Sequence, residues 1–232
     1  MIKTYILTEE QVVRLCEVDS LCDTLNEAVS FKDIVKKVKY ALAAGVAAAS
    51  LLTAINNLSI SIQEKNALKD MVEQANVNQG VFEQKVQAVE ECMKYYMSRM
   101  GKDFSKITMS PEKMVQISEK YNFDLPLMLA QAKCESLFGT EGRCMRTNSA
   151  FSVGAWDNGE DRVTYSDVNS SIEPYVQLMQ KDYLSGKSVQ ELLKDGGFVN
   201  YMNKRYASDT GYEGKLRSLR STIQSKWPIL TQ

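Results

Sequence analysis

Glu135 ends an apolar stretch, LMLAQAKCESLFGT, just before the Phe138-Gly139 pair. Asp124-Leu125-Pro126 opens that stretch as a helix, with an aspartate to cap it and a proline in its first turn. Leu127, Met128, Leu129 and Ala132 then turn the helix into a core. At the C-terminal end a carboxylate meets the negative pole of the helix dipole, and apolar neighbours desolvate it. Both effects favour the protonated form, which is the state a general acid needs. The plain alternative is a helix-end carboxylate paired with Lys133 or Arg143.

The residue types available narrow the chemistry. The chain has no histidine, so Cys-His peptidase, Ser-His-Asp hydrolase and His-ligated zinc sites are not easily built. Carboxylate chemistry remains, chiefly the cleavage of glycosidic bonds. Five cysteines, at positions 16, 22, 92, 134 and 144, show no C-x-x-C spacing, and read as buried free thiols. A Cys134–Cys144 pair closing a short loop is a lesser alternative in an oxidising compartment. With 28 basic and 29 acidic side chains the formal net charge is -1, so nothing favours nucleic acid as a partner. No metal or organic cofactor is called for.

Four ordered blocks carry a resemblance. The first is Ala130-Gln131-Ala132 leading into Glu135-Ser136 and Phe138-Gly139, and the second is Asn148-Ser149-Ala150-Phe151-Ser152-Val153-Gly154. The third is YSDVNSSIEPYVQLMQKDYL, beginning at Tyr165; the fourth is Arg205-Tyr206-Ala207-Ser208-Asp209 followed by Tyr212 and Lys215-Leu216. Together they resemble the N-acetylglucosaminidase domains of bacterial autolysins, flagellar wall-remodelling proteins and phage-borne lysins, within the lysozyme-like superfamily.

The resemblance implies that Glu135 is the catalytic acid and that Tyr206 lies beside it, bonded to the acid or to the reacting sugar. It also implies that Asn148, Phe151 and Gly154 shape the floor of a groove. Trp156 can stack its apolar face on a sugar ring, or simply anchor a surface loop. Tyr206 can equally be a core tyrosine with one polar partner.

This chain departs from longer members of the family after Gly154. Only eight residues separate Gly154 from Val163, too few for the β-lobe that roofs the cleft in many relatives and supplies a second carboxylate. Asp157 is the first candidate for that role, with Glu160, Asp161 and Glu141 as others. Three mechanisms stay open: water activated by a loop carboxylate, assistance by the substrate's acetamido group, or internal attack by a muramic acid hydroxyl.

Ser110-Pro111-Glu112 is a helix start, so the boundary falls after residue 107: a helical module over 1–107, then a lysozyme-like domain over 108–232. Thr8, Glu9 and Glu10 open a capped amphipathic helix near the N-terminus. Residues 41–55, ALAAGVAAASLLTAI, follow Lys36, Lys37 and Lys39 and form one uncharged apolar helix. Such a helix is either buried against neighbours or weakly inserted in a membrane, since 15 residues fall short of the ~20 that span a bilayer. Residues 61–100 read as an amphipathic helix broken in two at Asn76–Gly80.

The expected architecture is therefore mainly α, with little or no β-lobe. The expected activity is cleavage of peptidoglycan glycan strands at the β-1,4 bond between N-acetylglucosamine and N-acetylmuramic acid. The start of the chain has no secretory signal pattern, which suggests a phage virion component or an envelope enzyme acting in the periplasm or cell wall. Residues 1–107 are the expected contact for a second copy or for virion proteins. The rival expectation is a phage structural or ejection protein with a membrane-inserting helix and a weakly active, wall-binding domain.

Overall fold

The computed structural model describes Leu25, residues 30–154 and residues 161–231. It is mainly helical, as the residue periodicities predict, and its chain divides into two compact units, residues 1–81 and 82–232.

In the first unit, α1 (Phe31–Ala43) starts at Ser30, whose side chain accepts a hydrogen bond from the Asp33 N–H. Ile34 and Val38, one turn apart, are its buried residues. The expected single helix over 41–55 is interrupted. Gly45 takes a φ of 81°, and Val46 N returns to Ala41 O at 2.9 Å. This left-handed glycine closes α1 and lets the chain restart as α2 (Ala48–Asn56). Leu51, Ala54 and Ile55 of α2 join Leu25, Ile34, Val38, Leu58, Leu68 and Val72 in one apolar core. No helix among the described residues is long and apolar enough to cross a membrane.

The break expected at Asn76–Gly80 is absent, because α3 runs unbroken from Ile62 to Arg99. Gly80 stands in open space, and Gln74 bonds Asn78 one turn away at 3.0 Å. A glycine costs a helix interior about 1 kcal/mol, too little to stop a helix of 38 residues.

The second unit takes in the last turns of α3. Val89, Cys92, Met93, Tyr96 and Met97 share a core with Met114, Leu129, Phe138 and Tyr175. Residues 82–107 thus pack with the C-terminal unit, since this apolar stripe has its partners there. Next, α4 (Pro111–Tyr121) is capped by Ser110 and ends at left-handed Asn122. The following α5 (Leu125–Ser136) is capped by Asp124, whose carboxylate also holds Arg220 through Nε at 3.0 Å and Nη2 at 2.6 Å. Only Lys133, Cys134 and Glu135 of α5 escape full burial.

After the single turn of α6 (Cys144–Thr147), α7 (Ile172–Leu178) packs on α4 and continues into a π-turn, Met179–Leu184. The short α8 (Val189–Leu192) leads to a tight loop pinned by one antiparallel bridge, Val199 to Arg205. Finally α9 (Tyr212–Lys226) lies along α5, forming the most extensive helix pair of the unit. Cys92, Cys134 and Cys144 are free thiols, so the alternative pairing of Cys134 with Cys144 is not formed; Cys16 and Cys22 lie outside the described residues, as does the helix expected near Thr8.

Candidate active site

The end of α5 is built to hold a side chain at the edge of the core. Leu137, Phe138 and Gly139 have φ values of 47°, 59° and 87°, three successive left-handed residues that turn the chain sharply away. Ser136 fastens this corner: its hydroxyl donates to Ala150 O at 2.7 Å and accepts from Gly139 N at 2.8 Å. The helix end and the Asn148–Gly154 turn are thereby joined, with Glu135 between them.

Glu135 is half-buried and lines a cleft of ≈ 600 Å³. Tyr206, Ser152, Val153, Gly154, Arg143 and Asp182 line the same cleft. Burial pushes the Glu135 carboxyl above the ordinary glutamate value, and hydrogen bonding by Tyr212 and Ser152 only partly offsets it. Burial is the leading cause of this rise. Neither Lys133 nor Arg143 forms an ion pair with Glu135 among the described residues, so the plain helix-end pairing does not occur.

Beneath Glu135 runs a chain of buried hydrogen bonds. The Tyr175 hydroxyl donates to Gln131 Oε1, Gln131 Nε2 donates to the Tyr212 hydroxyl at 3.2 Å, and Tyr212 donates to Glu135 Oε1 at 2.6 Å. Tyr175 and Gln131 are both 0% exposed. Each member of the chain is bonded to the next, which fixes the carboxyl from below.

The Tyr206 hydroxyl has a different partner. Tyr206 lines the cleft, but its hydroxyl donates to the Phe151 carbonyl, and its ring stacks 6.0 Å from that of Tyr212. The loop carrying it is anchored by Arg205, which binds the buried Glu213 carboxylate through Nη2 at 2.9 Å. Phe151 itself is wholly buried, stacked on Tyr175 with centroids 3.8 Å apart, so it supports the floor from beneath. Asn148 stands outside the cleft lining; it takes a φ of 54° and donates from Nδ2 to Tyr165 O at 2.8 Å, holding the turn. Gly154 does reach the cleft, with a φ of 76°, and an added Cβ would come within 2.6 Å of Val163 Cγ2. No other residue fits there without displacement.

Asp157, Trp156 and Glu160 lie outside the described residues. Of the remaining carboxylate candidates, Asp161 is paired with Arg146 at 2.5 Å and Glu141 with Lys102 at 2.7 Å. No cluster among the described residues suits a metal ion.

Three residues of the network were quoted in the sequence blocks without a role, namely Gln131, Tyr175 and Tyr212. Gln131 precedes Glu135 by four residues, which puts both on one face of α5. That spacing was the available signal. The partner of Tyr212 was not encoded locally, since 77 positions separate it from Glu135.

Residues 111–225 match the family model described as Glucosaminidase: Mannosyl-glycoprotein endo-beta-N-acetylglucosaminidase. The matched stretch begins with α4 and ends one residue before the end of α9. No curated protein and no solved structure matches the chain.

Proposed function

Residues 111–225 form a glucosaminidase domain, a glycosidase acting on peptidoglycan, and on that premise we propose that the chain cleaves the β-1,4 bond between N-acetylglucosamine and N-acetylmuramic acid with Glu135 as its acid. The observation that carries this reading is the placement of Glu135: a carboxyl in the cleft, raised by burial, with Tyr212 bonded to one oxygen. Proton transfer from the Glu135 carboxyl to the leaving glycosidic oxygen would accompany rupture of its bond to the anomeric carbon. Water then adds to that carbon and gives up a proton to a base.

Asp157 is our candidate for that base. In support, Arg162 N donates to Gly154 O at 3.0 Å, and Gly154, three positions before Asp157 in sequence, lines the cleft. Tyr206, held by Phe151, Gly154 and Trp156 are assigned to the sugar-binding surface, with Asn148 shaping it through the turn. We assign the activity to the bacterial wall, as part of an envelope or a phage virion, because that is where such a substrate lies. The first unit, with its own core, is our candidate for attachment to a second copy or to virion proteins.

Digestion of purified peptidoglycan by the full chain, followed by mass spectrometry, tests the reading. Fragments bearing N-acetylglucosamine at a new reducing end are expected. No cleavage would refute glycosidase action by this chain, and anhydromuramic ends would refute hydrolysis.

A further inference from the structure

Asp182 has a carboxylate oxygen without a hydrogen-bond partner among the described residues. Its Oδ1 is buried yet meets no hydrogen-bond donor, although the residue lines the same cleft as Glu135. Buried polar atoms are rarely left so, and each such case calls for an explanation. Three cations line this cleft, and none of them serves it. Arg205 is committed to Glu213, while Arg143 and Lys204 form no ion pair with Asp182. Asp182 also stands in the π-turn Met179–Leu184, and such turns recur at functional sites because they re-aim side chains within a helix.

Beside it stands a second group with unused capacity. The Tyr201 N–H donates to the Asp182 carbonyl at 3.1 Å, which brings the Asn200–Lys204 loop against the π-turn. Asn200 Oδ1 accepts from the N–H groups of Met202 and Lys204, both at 2.9 Å. Its orientation is thereby fixed, and its Nδ2 remains a donor without a protein acceptor among the described residues. Asn200 lines the cleft, as do Leu178 and the half-exposed Met202. An acceptor, a donor and an apolar pair thus line the same cleft.

We propose that Asp182, Asn200, Leu178 and Met202 form a subsite for the acetamido group of a bound N-acetylated sugar. An acetamido group carries one N–H, one carbonyl and one methyl. The N–H would donate to the Asp182 carboxylate, which accepts through either oxygen. The carbonyl would accept from Asn200 Nδ2, and the methyl would lie against Leu178 and Met202. A hydroxyl in place of the acetamido group supplies neither the carbonyl nor the methyl. This inference rests on the reading of the cleft as a glycan site, but not on cleavage.

Binding of tetramers to the full-length Glu135→Gln variant, measured by calorimetry, tests it. A tetramer of N-acetylglucosamine is expected to bind at least tenfold more tightly than a β-1,4-linked tetramer of glucose. Adding Asp182→Asn should weaken the acetylated tetramer about tenfold and leave the glucose tetramer unchanged. Met202→Gln, at an exposed position that tolerates a polar side chain, should weaken the acetylated tetramer severalfold. Equal binding of the two tetramers would overturn the proposal, as would an Asp182→Asn variant of unchanged melting temperature and unchanged affinity. If these results hold while the wild-type chain leaves peptidoglycan intact, the catalytic reading fails and the subsite stands. If the wild type cleaves but Asp182→Asn does not alter acetamido preference, only the subsite fails.

Discussion

The two units solve the problem of burial differently. In residues 1–81 the described core is apolar throughout, from Leu25 to Val72. In residues 82–232 the core also encloses Gln131, Ser136, Thr147, Ser149, Ser171 and Glu213, each with hydrogen-bond partners. Apolar packing stabilises without fixing direction, whereas buried hydrogen bonds specify where each group points. The polar network lies where a carboxyl must be aimed, and the purely apolar core lies where the described residues hold no such group.

Changes that break this contrast should differ greatly in effect. Glu135→Gln should lower peptidoglycan cleavage by about 10³-fold, within the usual range for loss of a general acid, measured as release of soluble fragments. The same variant should be more heat-stable than the wild type at neutral pH. Because burial holds the folded-state pKa of Glu135 above its unfolded value, the stability associated with its neutral form is complete below the unfolded pKa and is lost as pH rises through the folded one. A glutamine escapes that loss. The difference in melting temperature should therefore vanish in acid.

Tyr212→Phe should reduce kcat about 10- to 100-fold, an order of magnitude set by removal of a charge-directed hydrogen bond. Its bond to Glu135 favours the ionised form, so its loss should move the alkaline limb of the pH profile upward. Leu51→Ala, in the apolar unit, should destabilise that unit by about 2 to 5 kcal/mol, as large-to-small core changes do. It should leave cleavage of glycan within about twofold. A large loss of activity from Leu51→Ala would erase the distinction drawn here.

The same contrast explains what could be read from the residues beforehand. Ser110 and Asp124 cap their helices as their types dictate, and Glu135 falls at the helix end that its neighbours predict. Glycine was less legible. Gly45 ends a helix and Gly80 sits inside one, because the first takes a left-handed conformation and the second meets nothing that demands it. The site divided similarly. Glu135, Tyr206 and Gly154 come together in one cleft, while Asn148 and Phe151 support it from behind. The roles of Tyr212 and Asp182 depend on contacts between distant segments, and no local pattern announces those.

The central claim is that burial raises the pKa of the Glu135 carboxyl within a cleft where Tyr212 holds it. A direct titration of that carboxyl in the intact chain, by carbon-13 NMR of wild type and Tyr212→Phe with Glu135→Gln to assign the signal, tests it. The account predicts a midpoint above the ordinary glutamate value of 4.5, moving higher still in Tyr212→Phe. A wild-type midpoint at or below 4.5, or one that Tyr212→Phe leaves in place, would contradict it.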